Sequence, residues 1–267
     1  MASYKPVNAL VRGLDVLVAA NKLRHKATVG ELHRETGIDK ATIVRMLETL
    51  AHAGYLIRDA DQVIYQVTGK ALSLSSAFDR HTVVGTIIAP LVTEFRQLIG
   101  WPSDVALFDL DAMLVVKTSR QGEPLSFNRS PGFRAPVLAT SLGLAYMAHC
   151  PEAVRADHLA RIETDTAPWS RLARDPARLK ARLAEIRAQG YATMDENYSR
   201  QEYEGRIGSI GVPIMTDHTL YASTNVIYLN SALSPEAARD TFLAPLKDVA
   251  RRMALELEAK DTTGTPL

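Results

Sequence analysis

Residues 28–54, TVGELHRETGIDKATIVRMLETLAHAG, leave fewer ways to fold than any other stretch of this 267-residue chain. Thr28 stands three residues before Glu31, the spacing at which a hydroxyl and a carboxylate can satisfy the free amides of a helix start. Gly37 tolerates positive φ where two helices must turn sharply, and Asp39 is placed to cap the next helix. Ile43, Leu47 and Leu50 then follow at spacings of four and three, which predicts one buried stripe on a helix ending at Gly54. Its other face carries Lys40, Thr42, Arg45 and Glu48. Two strand-like runs come next, YLIR at 55–58 and VIYQV at 63–67, separated by Asp59, Ala60, Asp61 and Gln62, a short hairpin with a polar tip. Helix, turn, helix and hairpin make a winged helix-turn-helix.

A helix with one apolar stripe and an exposed first turn of Lys, Thr and Arg suits a DNA major groove. Phosphates attract the cations while side chains near the N-terminus reach base edges. On this reading Lys40, Ala41, Thr42 and Arg45 contact bases or phosphates, and Arg12, Thr28 and Arg58 contact the DNA backbone. The same pattern also fits a small helical domain whose charged face is merely solvated, and a lone arginine on a wing can be idle. Charge distribution favours the first reading modestly: residues 1–80 hold 11 Lys+Arg against 8 Asp+Glu, while the rest of the chain holds 20 against 22. So small a surplus requires local placement and dimerisation to supply affinity.

A chain of this length suggests two domains. The expected division is a winged helix at 1–68, a linker helix at 69–82, an effector-binding domain at 83–260 and a disordered tail at 261–267. Residues 7–22 read as a helix with Leu10, Leu14, Leu17 and Val18 on the face that packs under the helix-turn-helix, and Arg12 turned away. Residues 83–99 form a longer amphipathic helix in which Pro90 predicts a kink or break. Strand patterns follow at 105–107, 114–116, 125–129, 206–214 and 221–229. Helices are expected from about 140, at 151–162, at 176–189 and at 235–259 after Ser234 as cap. That order suggests a mixed sheet flanked by helices.

A winged helix, a linker and an α+β domain bearing LATSLGLAY at 138–146 and GSIGVPI at 208–214 resemble the IclR family of bacterial regulators over nearly the whole chain. VRGLDVLVAAN and TIVRMLETLAHAGYL occur in the same order as in that family, and WPSDVALFDLDAMLVV with LSFNR looks most like the activators of hydroxyphenylpropionate catabolic genes. The resemblance implies a GAF-like C-terminal domain that binds a small organic acid. It also implies a dimer or tetramer joined through the DNA-binding domains. Carried over by position, the effector pocket involves Ser141, Leu142 and Gly143, the strand near Ile207 and Ser209, and the strand near Asn225 and Ile227. The chemistry is compatible, because amides beyond Thr140 form a carboxylate site at a helix start. Arg129 and Arg134 are candidate carboxylate clamps. Trp101, Phe127, Tyr146 and Tyr228 could enclose a ring and Asn225 could bond a ring hydroxyl, although each aromatic also suits a core. Leu138 and Ala139 stand where the family often has His and Ala, and Leu142 and Ile227 replace small polar residues. These changes favour an effector larger and less polar than glyoxylate.

An enzyme is the competing class, as a small-molecule catalyst with an accessory DNA-binding domain. Its candidates are thin: Asp109 and Asp111 suit a turn, and His149 beside Cys150 has no neighbouring acid. The seven histidines show no metal spacing, no phosphate loop occurs, and the lone cysteine cannot form an internal disulfide. We therefore expect no metal, no cofactor and no catalytic residues. The N-terminus lacks a signal-peptide core and no run is long enough to cross a membrane, so a cytoplasmic protein is expected. The expected partners are a palindromic operator in double-stranded DNA and a small aromatic carboxylic acid, with a short aliphatic keto acid as the alternative effector.

Overall fold

The computed structural model describes residues 5–23, 27–59, 63–75, 79–120, 131–162 and 167–261. Chain contacts separate two compact units, Met1–Phe78 and Asp79–Leu267. The first holds helices α1 (Asn8–Leu23), α2 (Val29–Thr36) and α3 (Lys40–His52) and an antiparallel hairpin of β1 (Leu56–Asp59) and β2 (Ile64–Val67). Thr28 caps α2 by accepting from the Glu31 amide at 3.2 Å, and Asp39 caps α3 by accepting from the Thr42 amide at 2.9 Å. Gly37, at φ 68°, closes α2 and permits the turn between them. Leu32, Ile43, Leu47, Leu56 and Tyr65 form the core of this unit together with Val16 and Leu17.

One expectation fails on α1. Of the four residues assigned to its buried face only Leu17 is buried; Leu10, Leu14 and Val18 are 64%, 50% and 68% exposed. The helix instead packs through Val16, Leu17, Ala19 and Ala20. Small alanines let α1 lie close against its neighbours, and a count of large apolar residues overlooks them. The result is an exposed apolar stripe of Val7, Leu10, Val11, Leu14 and Val18.

Residues Gly69–Leu74 form a 3-10 segment, and α4 (Asp79–Ile99) opens the second unit. Pro90 does not end that helix. It is exposed, whereas Val84, Ile88, Val92 and Phe95 repeat along the opposite side and bury against the sheet, which outweighs one missing amide bond. Strands β3 (Ser103–Asp109), β4 (Ala112–Thr118), β5 (Arg134–Pro136), β6 (Ala192–Thr193), β7 (Ile207–Met215) and β8 (Leu220–Leu229) make one sheet in the order β5-β4-β3-β8-β7-β6. Every pairing in it is antiparallel, so the expected mixed sheet is corrected. The strand expected at 125–129 and the tail at 262–267 lie outside the described residues.

Helices cover both faces of this sheet. On one face α4 and α9 (Pro235–Asp261) bury Ile88, Phe95, Phe242, Leu246 and Met253 against Ile210, Val212, Val226 and Tyr228. On the other lie α5 (Ser141–His149), α6 (Glu152–Arg161), α7 (Pro176–Gln189) and α8 (Glu196–Tyr203), with Leu142, Met147, Leu179 and Leu183 at the centre of that core. Alternation along β7 and β8 gives Ile207, Ser209, Gly211, Asn225 and Ile227 to this second face. No helix among the described residues is long and apolar enough to cross a membrane.

Candidate DNA-contacting helix and effector site

In the first unit the start of α3 carries the cations. Lys40, Ala41 and Arg45 are exposed and Thr42 is half-buried, because Asp39 ties its amide down. Hydrogen bonds from Thr42 hold the Asp39 carboxyl below its ordinary range, with the charge of Arg12 adding to the effect. Arg12 of α1 therefore sits on the same side as the α3 N-terminus. Arg34 and Lys22 pair with Glu31 and Glu35, whereas no described acid pairs with Lys40 or Arg45. Thr28 spends its hydroxyl on the α2 cap, and Arg58 is exposed on β1 opposite Tyr65.

In the second unit the start of α5 lies directly over the sheet. A Cβ added to Gly211 would fall 2.6 Å from the Ser141 carbonyl oxygen, so glycine is what lets the helix come down onto β7. Gly143 has the same role for the preceding loop, where a Cβ would lie 2.1 Å from the Val137 oxygen. Thr140 accepts from the Gly143 amide at 3.2 Å, and the Ser141 and Ser209 hydroxyls share a hydrogen bond of 2.7 Å. The amides of Ser141 and Leu142 find no acceptor among the described residues. Two unpaired amides at the positive end of a helix are a site for one carboxylate.

Beside these amides an apolar cluster covers the sheet: Ala139, Met194, Tyr198, Tyr203, Ile207 and Ile227, with Trp169 against it. Trp169 meets Tyr198 edge-on at 5.2 Å, and Tyr198 meets Tyr203 edge-on at 5.8 Å. The backbone ties this lid to the helix start, since the Asp195 amide donates to the Ala139 oxygen and the Met194 amide to the Ser209 oxygen. A cavity of about 460 Å³ opens beside the cluster, lined by Met194, Ile207, Ser209 and Tyr228 and, toward solvent, by Glu196, Arg200 and Asn230. A larger cleft of about 620 Å³ is bounded by α5, α7 and α8, with Leu138, Leu144, Trp169 and Leu172 on its apolar side and Arg171, Arg178, Glu185 and Gln201 on its polar side.

Of the residues expected to bind an effector, the fold gathers Thr140, Ser141, Gly143, Ile207, Ser209, Asn225 and Ile227, and it offers the backbone of Leu142. It does not gather the rest. Trp101 packs edge-on against Phe242 and Tyr228 belongs to the same core on the opposite face of the sheet, although Tyr228 also lines the cavity of about 460 Å³ and both line a small gap with Ile207 and Ile227. Tyr146 stacks on Phe108 at 5.0 Å within the α5 core. Arg134 is held by Asp109 and Asp111 at the β3–β4 turn, which also occupies the two paired carboxylates weighed for catalysis. Phe127 and Arg129 lie outside the described residues. Cys150 is buried at the end of α5, and burial pushes its thiol up. Among the described residues no group of His, Cys, Asp or Glu could hold a metal ion. Sequence reasoning overlooked Trp169, Tyr198 and Tyr203. For Tyr198 and Tyr203 the local signal was Asp195 as a cap before a short amphipathic run.

Comparison with known proteins agrees with both units. A family model described as the IclR helix-turn-helix domain matches residues 9–60, and one described as the bacterial transcriptional regulator IclR C-terminal matches residues 76–255. Relatives include the Pca regulon regulatory protein of Pseudomonas putida, 29% identical over 78% of this chain and 69% of its own, and the regulator BhcR of Paracoccus denitrificans, 28% identical over 71% and 67%. Among solved structures, an IclR family transcriptional regulator from Brucella abortus superposes with a TM-score of 0.63 at 24% identity, covering 94% of this chain and 92% of its own. An IclR homolog from Microbacterium hydrocarbonoxydans, complexed with 4-hydroxybenzoate, superposes with a TM-score of 0.64 at 21% identity, covering 94% and 99%. The model matching the second unit spans more than half of the chain, and the chain belongs to the IclR family of bacterial transcriptional regulators.

Proposed function

We propose that this regulator binds a palindromic operator as a homodimer or tetramer and that a small aromatic carboxylic acid controls it. The carrying observation is the pairing of two unsatisfied α5 amides with the cluster of Trp169, Tyr198, Tyr203, Ile207 and Ile227. A carboxylate satisfies the amides and meets the positive end of the helix dipole, while the ring lies against aromatic and branched side chains. The Pca regulon relative and the 4-hydroxybenzoate complex of a structural neighbour support this reading. The chain carries out no reaction in this scheme. Its effector works only through a difference in affinity between two arrangements of the DNA-binding units.

Lys40, Ala41, Thr42 and Arg45 then face the major groove, and Arg12, Thr28 and Arg58 lie along the backbone. The exposed stripe of Val7, Leu10, Leu14 and Val18 supports self-association, which would set two α3 helices about 34–36 Å apart or a multiple of it. The test is thermal unfolding of the purified protein with benzoates, phenylacetates, phenylpropionates, glyoxylate and pyruvate. An effector at 100 times its dissociation constant adds about 2.7 kcal/mol of stability, so aromatic acids should raise Tm. A rise with glyoxylate or pyruvate alone would replace the aromatic effector by a short keto acid.

A further inference from the structure

Asn225 and Asp104 face each other across β8 and β3 and are both fully buried. The Asp104 amide donates to Asn225 Oδ1 at 2.9 Å, which fixes the Asn225 side chain and leaves its Nδ2 as the remaining donor. Among the described residues that Nδ2 has no partner, and neither does Asp104 Oδ1. Arg120, whose side chain is 13% exposed, donates to the other carboxylate oxygen, Asp104 Oδ2, at 3.2 Å. Arg120 also lines a small gap together with Trp101, Tyr228, Ile207 and Ile227, at the edge of the sheet where both faces meet. On the neighbouring strand, Asn225 stands opposite Gly211, onto which Ser141 descends.

A buried acceptor and a buried donor left unpaired side by side are costly unless a ligand or water satisfies them. A hydroxyl group satisfies both, since its proton goes to an acceptor and its oxygen accepts from a donor. A carboxylate cannot, because it brings no proton to Asp104. We propose that Asp104 Oδ1 and Asn225 Nδ2 together receive a hydroxyl of the effector, with Arg120 as the residue that positions Asp104. This rests on the reading of an aromatic acid effector and divides its recognition in two. The α5 amides take the carboxylate, and Asp104 with Asn225 selects hydroxylated rings over plain ones.

The test is calorimetric titration of the full chain with matched acids: 3-hydroxybenzoate and 4-hydroxybenzoate against benzoate, and 3-(4-hydroxyphenyl)propionate against 3-phenylpropionate. At least one hydroxylated acid should bind about five- to a hundredfold more tightly than its plain counterpart, the factor set by leaving such groups unpaired. In Asp104→Asn the ratio of affinities within each matched pair should fall below about threefold. Equal binding of each pair by the wild-type chain overturns the hydroxyl site and leaves the aromatic effector standing. Binding of no aromatic acid overturns the effector reading and this inference with it. A full preference retained in Asp104→Asn removes Asp104 from the site. If that variant does not fold, the wild-type comparison still decides whether a hydroxyl is read.

Discussion

Gly211→Ala is the sharpest probe of how α5 meets the sheet. The added methyl would sit 2.6 Å from the Ser141 oxygen, 2.8 Å from its carbonyl carbon and 3.0 Å from its Cβ. Backbone cannot swing aside as a flexible side chain can, so α5 must rise by roughly half an ångström or more to restore ordinary contact. Overpacking of this kind costs about 1–3 kcal/mol. Lifting the helix also weakens the Ser141–Ser209 hydrogen bond, worth about 1 kcal/mol. The sum of roughly 2–4 kcal/mol corresponds to a Tm fall on the order of 10 °C in a domain of this size. Differential scanning calorimetry reads that fall. Gly69→Ala, where an added Cβ meets nothing within 4 Å, serves as the unchanged control. Effector affinity should drop in parallel, because the carboxylate amides move with α5. A Gly211→Ala protein with unaltered Tm and unaltered ligand affinity would refute the close seating of α5 and the site built on it.

Leu10→Glu with Leu14→Glu should turn the proposed oligomer into a monomer by light scattering, yet leave the fold of the first unit stable to within about 0.5 kcal/mol, since both side chains are already exposed. A protein that stays dimeric would move the interface elsewhere. Arg45→Ala should weaken operator binding and reduce its salt slope by about 1 in a gel-shift series; an unchanged slope removes Arg45 from the phosphates. His158 is buried with its Nδ1 near the Leu110 oxygen, and burial lowers its pKa below the ordinary 6.5. Below pH 6.5 the unfolded chain therefore binds a proton that the folded chain refuses, so the second unit should lose stability as pH falls from 6.5 toward the lowered value. His158→Phe should flatten that limb in urea titrations at pH 7 and pH 5.5, and an unchanged slope would assign the acid sensitivity to other groups.

Much of the first unit was legible in the sequence, because its signals are local. Thr28, Gly37 and Asp39 act within three residues of where they stand, and the stripe through Ile43 and Leu47 is one helix period repeated. The burial of α1 was not legible, since Ala19 and Ala20 gain their place from the shape of their neighbours. In the second unit the start of α5, Ser209, Asn225 and Ile227 were located through the family resemblance, and pairing β7 with β8 sets them on one face. The aromatic side chains nearest the α5 start were not legible. Whether Trp101 or Trp169 faces the site depends on which side of a six-stranded sheet each reaches, and that is fixed by pairings far apart in the chain. Asp104 was invisible for the same reason: a buried acid reads as a strand interruption until Arg120 and Asn225 are seen beside it.

The measurement that bears most directly on the effector site is a crystal structure of the chain grown with an aromatic acid that raises its Tm. Carboxylate oxygens are expected about 2.8–3.0 Å from the Ser141 and Leu142 amides, with the ring against Trp169, Tyr198 and Ile227. A ligand seated instead on Arg134, or in the outer cleft beside Arg171 and Arg178, would contradict it.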